Sequence, residues 1–306
     1  MQTLKINFAD FWGNFDKTDN YFYHLLSTKY DVEISDDPDI LFFSVDYGRS
    51  HERDRFSRCK KIFFTGENVR PNFDGPESIE YPRYSIGKCD AALSFDYSDD
   101  DRNYRFPLWA FFIDWFGTGY KLDIDPAYLV PIDHLINRNV NYKSSVRTQF
   151  CNFLFSNNSG ERISILNAIQ EYRHVICAGN LCRNTNFIVY GRGDQIDKIH
   201  FLSDFKFTIA AENSKYDGYV TEKILHPLSV CSVPIYWGSD RVVEDFNEKA
   251  FINANKLSLD EIVGQITELD SDASKFLSKI NEPVFNDGIP DLVKPEKVLA
   301  FIEGVL

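Results

Sequence analysis

Along the first half of the chain, apolar and polar residues alternate between two periods. Leu4–Phe11 alternates with period two and reads as a strand, Asp19–Tyr30 has apolar residues at helical spacing, and Ile40–Val45 is a short apolar run. A polar helix is expected at His51–Cys59, followed by strands at Lys61–Thr65 and Ala91–Phe95. Short strands separated by helical segments predict a parallel, doubly wound α/β sheet. From Asp123 to Arg147 the pattern breaks into pieces around Pro126, Pro131 and the polar run Asn137–Asn141, which is the expected connection between domains.

Alternation then resumes. Strands are expected at Gln149–Ser156, His174–Ala178, Phe187–Tyr190, Phe207–Ala211 and Val233–Trp237, and helices at Ser159–Tyr172 and Thr221–Val230. In a last helix, Pro295–Leu306, the residues Val298, Phe301, Ile302 and Val305 recur at helical spacing. Two α/β domains of similar size follow, and the ligands of such sheets lie beyond the carboxyl ends of the strands.

Composition narrows the function. The 306 residues include 33 Lys and Arg against 46 Asp and Glu, a net charge of −13, which repels nucleic acid and anionic lipid surfaces. With 43% hydrophobic residues the chain can bury a large core. Met1–Phe15 carries Asp10 and does not read as a signal peptide, and no apolar run approaches the ~18 residues of a membrane span. Six scattered cysteines, with Cys177 and Cys182 the nearest pair, read as buried thiols of a reducing compartment and propose no zinc site.

Several familiar signals fail. Tyr190-Gly191-Arg192-Gly193-Asp194 lacks the third glycine of a dinucleotide fingerprint and reads as a turn. Asp-x-Asp pairs, which hold metal in many glycosyltransferases, occur at Asp37/Asp39, Asp99/Asp101, Asp123/Asp125 and Asp270/Asp272, too often in so acidic a chain to be specific. No nucleophile elbow and no His-Glu-x-x-His pair is present. Trp12, Tyr47 and Trp109 are the aromatics available to stack on sugars, but the high aromatic content favours reading them as core.

The most informative stretch is Phe207–Leu225 with Val233–Ser239: strand, polar loop, helix start, strand. Gly218 permits a close approach of backbone to ligand, and Thr221 is placed to cap the helix. Amides at that helix start favour an anion such as a diphosphate, and Lys223 adds a positive charge. The Glu222 carboxylate suits paired hydroxyls, as on a ribose. The plain alternative is an exposed helix start, with Tyr219 packed as core.

Glu212-Asn213-Ser214, Asp217-Gly218-Tyr219-Val220-Thr221-Glu222-Lys223-Ile224 and Val233-Pro234-Ile235-Tyr236-Trp237-Gly238 together resemble the donor-site signature of the α1,3/α1,4-fucosyltransferases, the family that includes the bacterial Lewis-antigen enzymes. Phe63-Phe64-Thr65-Gly66-Glu67-Asn68 with Pro71 and Phe73 is similar to the family's acceptor-domain motif, Arg105-Phe106-Pro107-Leu108 to its partner, and Asp245-Phe246-Asn247 to the segment after the donor motif. The resemblance implies a GT-B-like fold of two Rossmann-like domains facing a cleft. Residues 1–140 would bind the acceptor, residues 141–290 would bind GDP-fucose, and the helix of residues 291–306 would pack back on the first domain.

It further implies inverting transfer of fucose to the N-acetylglucosamine of a lactosamine-type glycan through an α1,3 or α1,4 linkage. Glu67 would be the general base, Arg162 and Lys223 would stabilise the leaving GDP without a metal, and Asn213, Tyr219 and Glu222 would complete the donor contacts. Pro227 departs from the family pattern and is expected to kink or shorten the helix that begins near Thr221. The absence of an anchor signal points to a bacterial, cytoplasmic enzyme, with peripheral attachment at the inner membrane left open. Two other readings stand beside this one: a catalytically silent glycan- or nucleotide-binding protein on the same scaffold, and a GT-B transferase of another nucleotide sugar.

Overall fold

The computed structural model describes residues 1–13, 15–45, 52–71, 89–118, 129–137, 147–189 and 198–306. They form two compact units, Met1–Pro126 with Asp291–Leu306, and Ala127–Pro290.

The first unit is built on β1 (Thr3–Ala9), β2 (Asp31–Ile34), β3 (Ile40–Phe43), β4 (Lys60–Phe63), β5 (Ala91–Ser94) and β6 (Asn103–Arg105). They lie in the order β2-β1-β3-β4-β5-β6, all neighbours parallel. The order reverses beside β1, which is where a doubly wound sheet opens a crevice at its carboxyl edge. Strand β3 is buried along its whole length, and so it appears in the sequence as an unbroken apolar run. Phe42 stacks on Phe22 at 4.7 Å and on Phe8 at 5.4 Å, so aromatic rings fill one side of this sheet. Trp109 is completely buried, whereas Trp12 is half-buried against Phe11 and Phe15. The last helix, Pro295–Val305, is held to this unit by Tyr30 donating to Glu303 Oε1 at 2.6 Å and by Phe301 against Tyr104 at 5.0 Å.

The second unit carries β7 (Gln149–Phe153), β8 (Val175–Cys177), β9 (Phe205–Ala211), β10 (Val233–Trp237) and β11 (Ile252–Asn253) in the parallel order β8-β7-β9-β10-β11. Here the reversal falls between β7 and β9. Cys151, Cys177 and Cys231 are buried in the core on this sheet. The helix Gly160–Tyr172 follows β7 and buries Ile165, Leu166 and Ile169.

Several expectations change. The polar helix over His51–Cys59 reduces to one 3-10 turn, Glu52–Arg55, with His51 outside the described residues. No strand forms at Phe187–Val189, which bends, and Tyr190 with the glycines after it lies outside the described residues, as do Tyr47, Phe73 and Asp123/Asp125. Of the expected connection, residues 129–137 are described and include the short helix Ile132–Ile136. The strands β2, β6 and β11 and the helices Leu259–Ser271 and Ala273–Asn281 add to the expected elements.

Two of the Asp-x-Asp pairs have structural explanations. Asp99 and Asp101 are exposed on a turn. Asp272 caps the helix Ala273–Asn281 through the amides of Ser274 and Lys275, while Asp270 accepts from Lys206 and Arg173 at 2.8 Å each. Among the described residues there is no cluster of three or more metal-ligating side chains, and no helix is long and apolar enough to cross a membrane.

Burial would push the Asp270 carboxyl up, but hydrogen bonds from Lys206 and Arg173 hold it below the ordinary aspartate range. A lowered carboxyl stabilises the fold above its unfolded pKa, near 4, and loses that contribution as pH falls through the folded value. Asp270→Asn is therefore expected to cost about 1–2 kcal/mol at pH 7, a difference that shrinks as the medium is acidified below about pH 4. Urea unfolding of both proteins across pH checks this.

Candidate functional site

At the reversal of the second sheet, the segments leaving β7 and β9 come together. The first leads through Ser156–Ser159 into the helix that carries Arg162, and the second becomes Glu212 and the loop of residues 213–220. Arg162 is 3% exposed and lies 4.2 Å over the Phe155 ring. Its Nε and Nη2 donate to the Ala211 carbonyl at 3.2 and 3.0 Å, and Nη1 donates to the Asn157 carbonyl at 2.9 Å. Three of the five guanidinium donors thus fasten the two strand ends, leaving one hydrogen on each terminal nitrogen.

Glu212 is fully buried. Its Oε1 accepts from the Thr221 amide at 2.8 Å and its Oε2 from the Thr221 hydroxyl at 2.9 Å, closing the intervening loop at its neck. Within the loop, Gly218 adopts φ +86°, a conformation that disfavours any side chain, and donates its amide to Ser239 Oγ at 2.9 Å. Tyr219 is 2% exposed and packed inside, whereas Asn213 is exposed, its Oδ1 accepting from Ser214 Oγ at 3.2 Å.

The following helix spans Glu222–Ser229, with Thr221 as its cap. Pro227 lies in its last turn, and the helix stops two residues later, shorter than the apolar pattern suggests. The first turn is intact and places Glu222 and Lys223 beside Glu212. Lys223 Nζ is 3.2 Å from Glu212 Oε2, 3.9 Å from Glu222 Oε1 and 3.1 Å from Thr221 Oγ1. A residue that the sequence did not single out completes the group: Lys198, which opens the helix Lys198–Ser203, reaches Glu222 Oε1 at 3.5 Å.

Among the described residues, Arg162, Lys198 and Lys223 therefore stand with Glu212 and Glu222, three cations to two carboxylates. Burial alone would lower the Lys223 ammonium, but Glu212 and Glu222 hold it well above the ordinary lysine range. Burial likewise disfavours ionised Glu222, yet Lys223 and Lys198, with His226 and Thr221, keep its carboxyl far below the usual range. Glu212 is pushed up by burial against the pull of Lys223. Surplus positive charge at a helix N-terminus is the chemistry of a site for a multiply charged anion.

Glu67, in the first unit, follows β4 and is half-buried. Its amide donates to Thr65 Oγ1 at 3.2 Å, and its carbonyl accepts from Val69 at 2.7 Å in a tight turn that presents the side chain beyond the carboxyl end of the strand. The structure thus brings together Arg162, Glu222 and Lys223 and sets Tyr219 and Asn213 on the loop beside them.

Comparison with known proteins gives consistent matches. Residues 6–112 match the model of the α-(1,3)-fucosyltransferase FucT N-terminal domain, and residues 144–280 match that of the C-terminal part of glycosyltransferase family 10, the fucosyltransferases. An α-(1,3)-fucosyltransferase FucT of Helicobacter pylori is 28% identical over 333 residues, covering 99% of this chain and 66% of its own length. A putative fucosyltransferase of Acanthamoeba polyphaga mimivirus is 29% identical over 166 residues, 52% of this chain and 28% of its own. The chain thus spans less than two thirds of the length of either relative. Among solved structures, an α1,3-fucosyltransferase superposes with a TM-score of 0.74 at 28% identity, covering 99% of this chain and 90% of that one. A crystal structure titled as α1,3-fucosyltransferase with GDP-fucose gives 0.73 at 28% identity, covering 100% and 91%. The two α/β units are those of the GT-B fold.

Gly238 closes the floor of the loop. A Cβ there would sit 2.6 Å from Glu212 Cγ and 2.6 Å from the Tyr236 hydroxyl, both on fully buried side chains that have no room to turn away. Gly238→Ala is expected to cost roughly 1–3 kcal/mol of stability through overpacking. Because the displaced group is Glu212, it should also weaken pyrophosphate binding severalfold, which urea unfolding and titration calorimetry would show.

Proposed function

The chain belongs to glycosyltransferase family 10, the fucosyltransferases, and on that premise we propose that it transfers fucose from GDP-fucose to an N-acetylglucosamine of a lactosamine-type oligosaccharide in an α1,3 or α1,4 linkage. The observation that carries the reading is the ion cluster at the Glu222–Ser229 helix start, where Lys223 and Arg162 stand at the carboxyl ends of β7 and β9. In this reading the second unit takes the donor and the first the acceptor.

The diphosphate accepts from the helix amides, from Lys223 and from the remaining terminal donors of Arg162, each charge-assisted bond contributing roughly 1.5–3 kcal/mol. Glu222 accepts the ribose hydroxyls, while Asn213 and Tyr219 provide further contacts along the loop. In the chemical step the acceptor oxygen bonds to the anomeric carbon on the face opposite the phosphate. As the bond from that carbon to the phosphate oxygen breaks, GDP leaves with the electron pair, and Glu67 takes the acceptor proton. The charge growing on GDP is met by Lys223 and Arg162, the role a divalent cation plays in other glycosyltransferases. The same reading places the enzyme in the cytoplasm, where buried thiols such as Cys151 and Cys177 stay reduced.

Three measurements test this reading. GDP at a hundredfold excess over its Kd should stabilise the fold by about 2.7 kcal/mol while UDP and CMP do not; stabilisation by UDP alone would refute the donor. Glu67→Gln should bind GDP within about twofold of wild type yet lose roughly 10²–10⁴ in turnover, whereas Lys223→Ala should weaken GDP binding itself about tenfold or more. Wild-type turnover by Glu67→Gln would remove Glu67 as base. Finally, transfer to type 1 and type 2 acceptors should persist in excess EDTA, and linkage analysis of the products assigns the bond formed.

A further inference from the structure

Lys198 has no part in the chemistry derived above, yet it is a buried charge, its side chain only 9% exposed. Taking an ammonium out of water is costly unless a carboxylate compensates it. Glu222 supplies one, its Oε1 lying 3.5 Å from Lys198 Nζ. Glu222 is the more open of the two, its side chain 16% exposed. The lysine thus lies on the inner side of the pair, and the carboxylate has the access to solvent.

Lys223 approaches the same oxygen at 3.9 Å, but it is also the cation assigned to the diphosphate. When Lys223 turns to an incoming phosphate, its hold on Glu222 weakens just when that carboxylate must be ionised and aimed at hydroxyl donors. Lys198 comes from a different helix and is not the cation assigned to the phosphates, so its hold on Glu222 persists. An ionised carboxylate only accepts hydrogen bonds, and it accepts them more strongly than a neutral acid.

We propose that Lys198 is a positioning residue that fixes the Glu222 carboxylate for the vicinal hydroxyls of the donor's ribose and thereby sets the preference for a ribonucleotide. The proposal rests on the assignment of Glu222 to the ribose, and the experiment separates the two. GDP and 2′,3′-dideoxy-GDP are titrated by calorimetry into the full chain. Wild type is expected to prefer GDP by about tenfold or more, the scale of hydrogen bonds to a charged acceptor. Lys198→Met should weaken GDP about tenfold and leave dideoxy-GDP within twofold, and Lys198→Arg should restore most of the preference. In a Glu222→Gln background the same Lys198→Met change should alter neither affinity by more than twofold, because its route of action is gone.

Retention of the wild-type preference by Lys198→Met overturns the proposal. So does an equal loss for both nucleotides, which is what a purely structural lysine would give. If Lys198→Met alone does not melt cooperatively, Glu222→Gln is compared with the double substitution, which removes both charges of the pair. Equal GDP affinities then support the proposal, and unequal ones overturn it. A wild-type protein that binds the two nucleotides equally refutes the ribose role of Glu222 itself, and the inference falls with it.

Discussion

The site depends on one buried carboxylate. Glu212 follows β9 and accepts hydrogen bonds from Thr221, so a strand, an eight-residue excursion and a helix start are closed into a ring at one point. The ring must be closed by an anion, because the same group also has to hold the Lys223 ammonium at 3.2 Å. An amide in its place would accept from Thr221 but could not offset the lysine's desolvation. Gly218 and Gly238 are the concessions the ring requires. One supplies a positive φ, and the other leaves space where a methyl group would collide with the carboxylate stem.

Around that anchor the charges are ordered by depth. Glu212 is completely enclosed, Lys198 and Glu222 lie at intermediate depth, and Lys223 reaches furthest toward solvent, its side chain 22% exposed. The cation able to meet a ligand is thus backed by two carboxylates, which keep it protonated. One of those is backed in turn by a second lysine. A chain with a net charge of −13 can in this way present a local positive face, since the excess acid lies elsewhere, as in the exposed turn of Asp99 and Asp101.

Much of this was legible in the residues. Buried strands such as Ile40–Phe43, and Val233–Trp237 up to its last residue, are apolar runs of the right length, and the β9-loop-helix stretch carries its glycine, its cap and its lysine within a short span. What escaped had physical reasons. The strand Ile252–Asn253 is too short to show a period, and Asp31–Ile34 alternates only between partial burial and exposure. The helix Leu259–Ser271 was missed, although the capping box that Ser258 and Glu261 form in the structure joins two residues three apart. Beyond the phosphate role expected of it, Arg162 donates three hydrogen bonds to backbone carbonyls, a structural role that no spacing in the sequence reveals. Lys198 stands 24 positions before Glu222 in an unremarkable segment, and only the packing of their two helices brings them together.

The closing helix has a consequence for how the polypeptide can be divided. Asp291–Leu306 belongs with Met1–Pro126, and Ala127–Pro290 is therefore an insertion within a discontinuous first unit. The inserted unit is a single uninterrupted stretch of chain, whereas its host is assembled from the stretches on either side of it, joined where Tyr30 meets Glu303. A ribosome releases the host incomplete: its sheet emerges first and waits for the whole of the second unit to be synthesised before its last helix arrives. Loss of Asp291–Leu306 would thus injure a unit whose sheet is encoded more than 150 residues earlier.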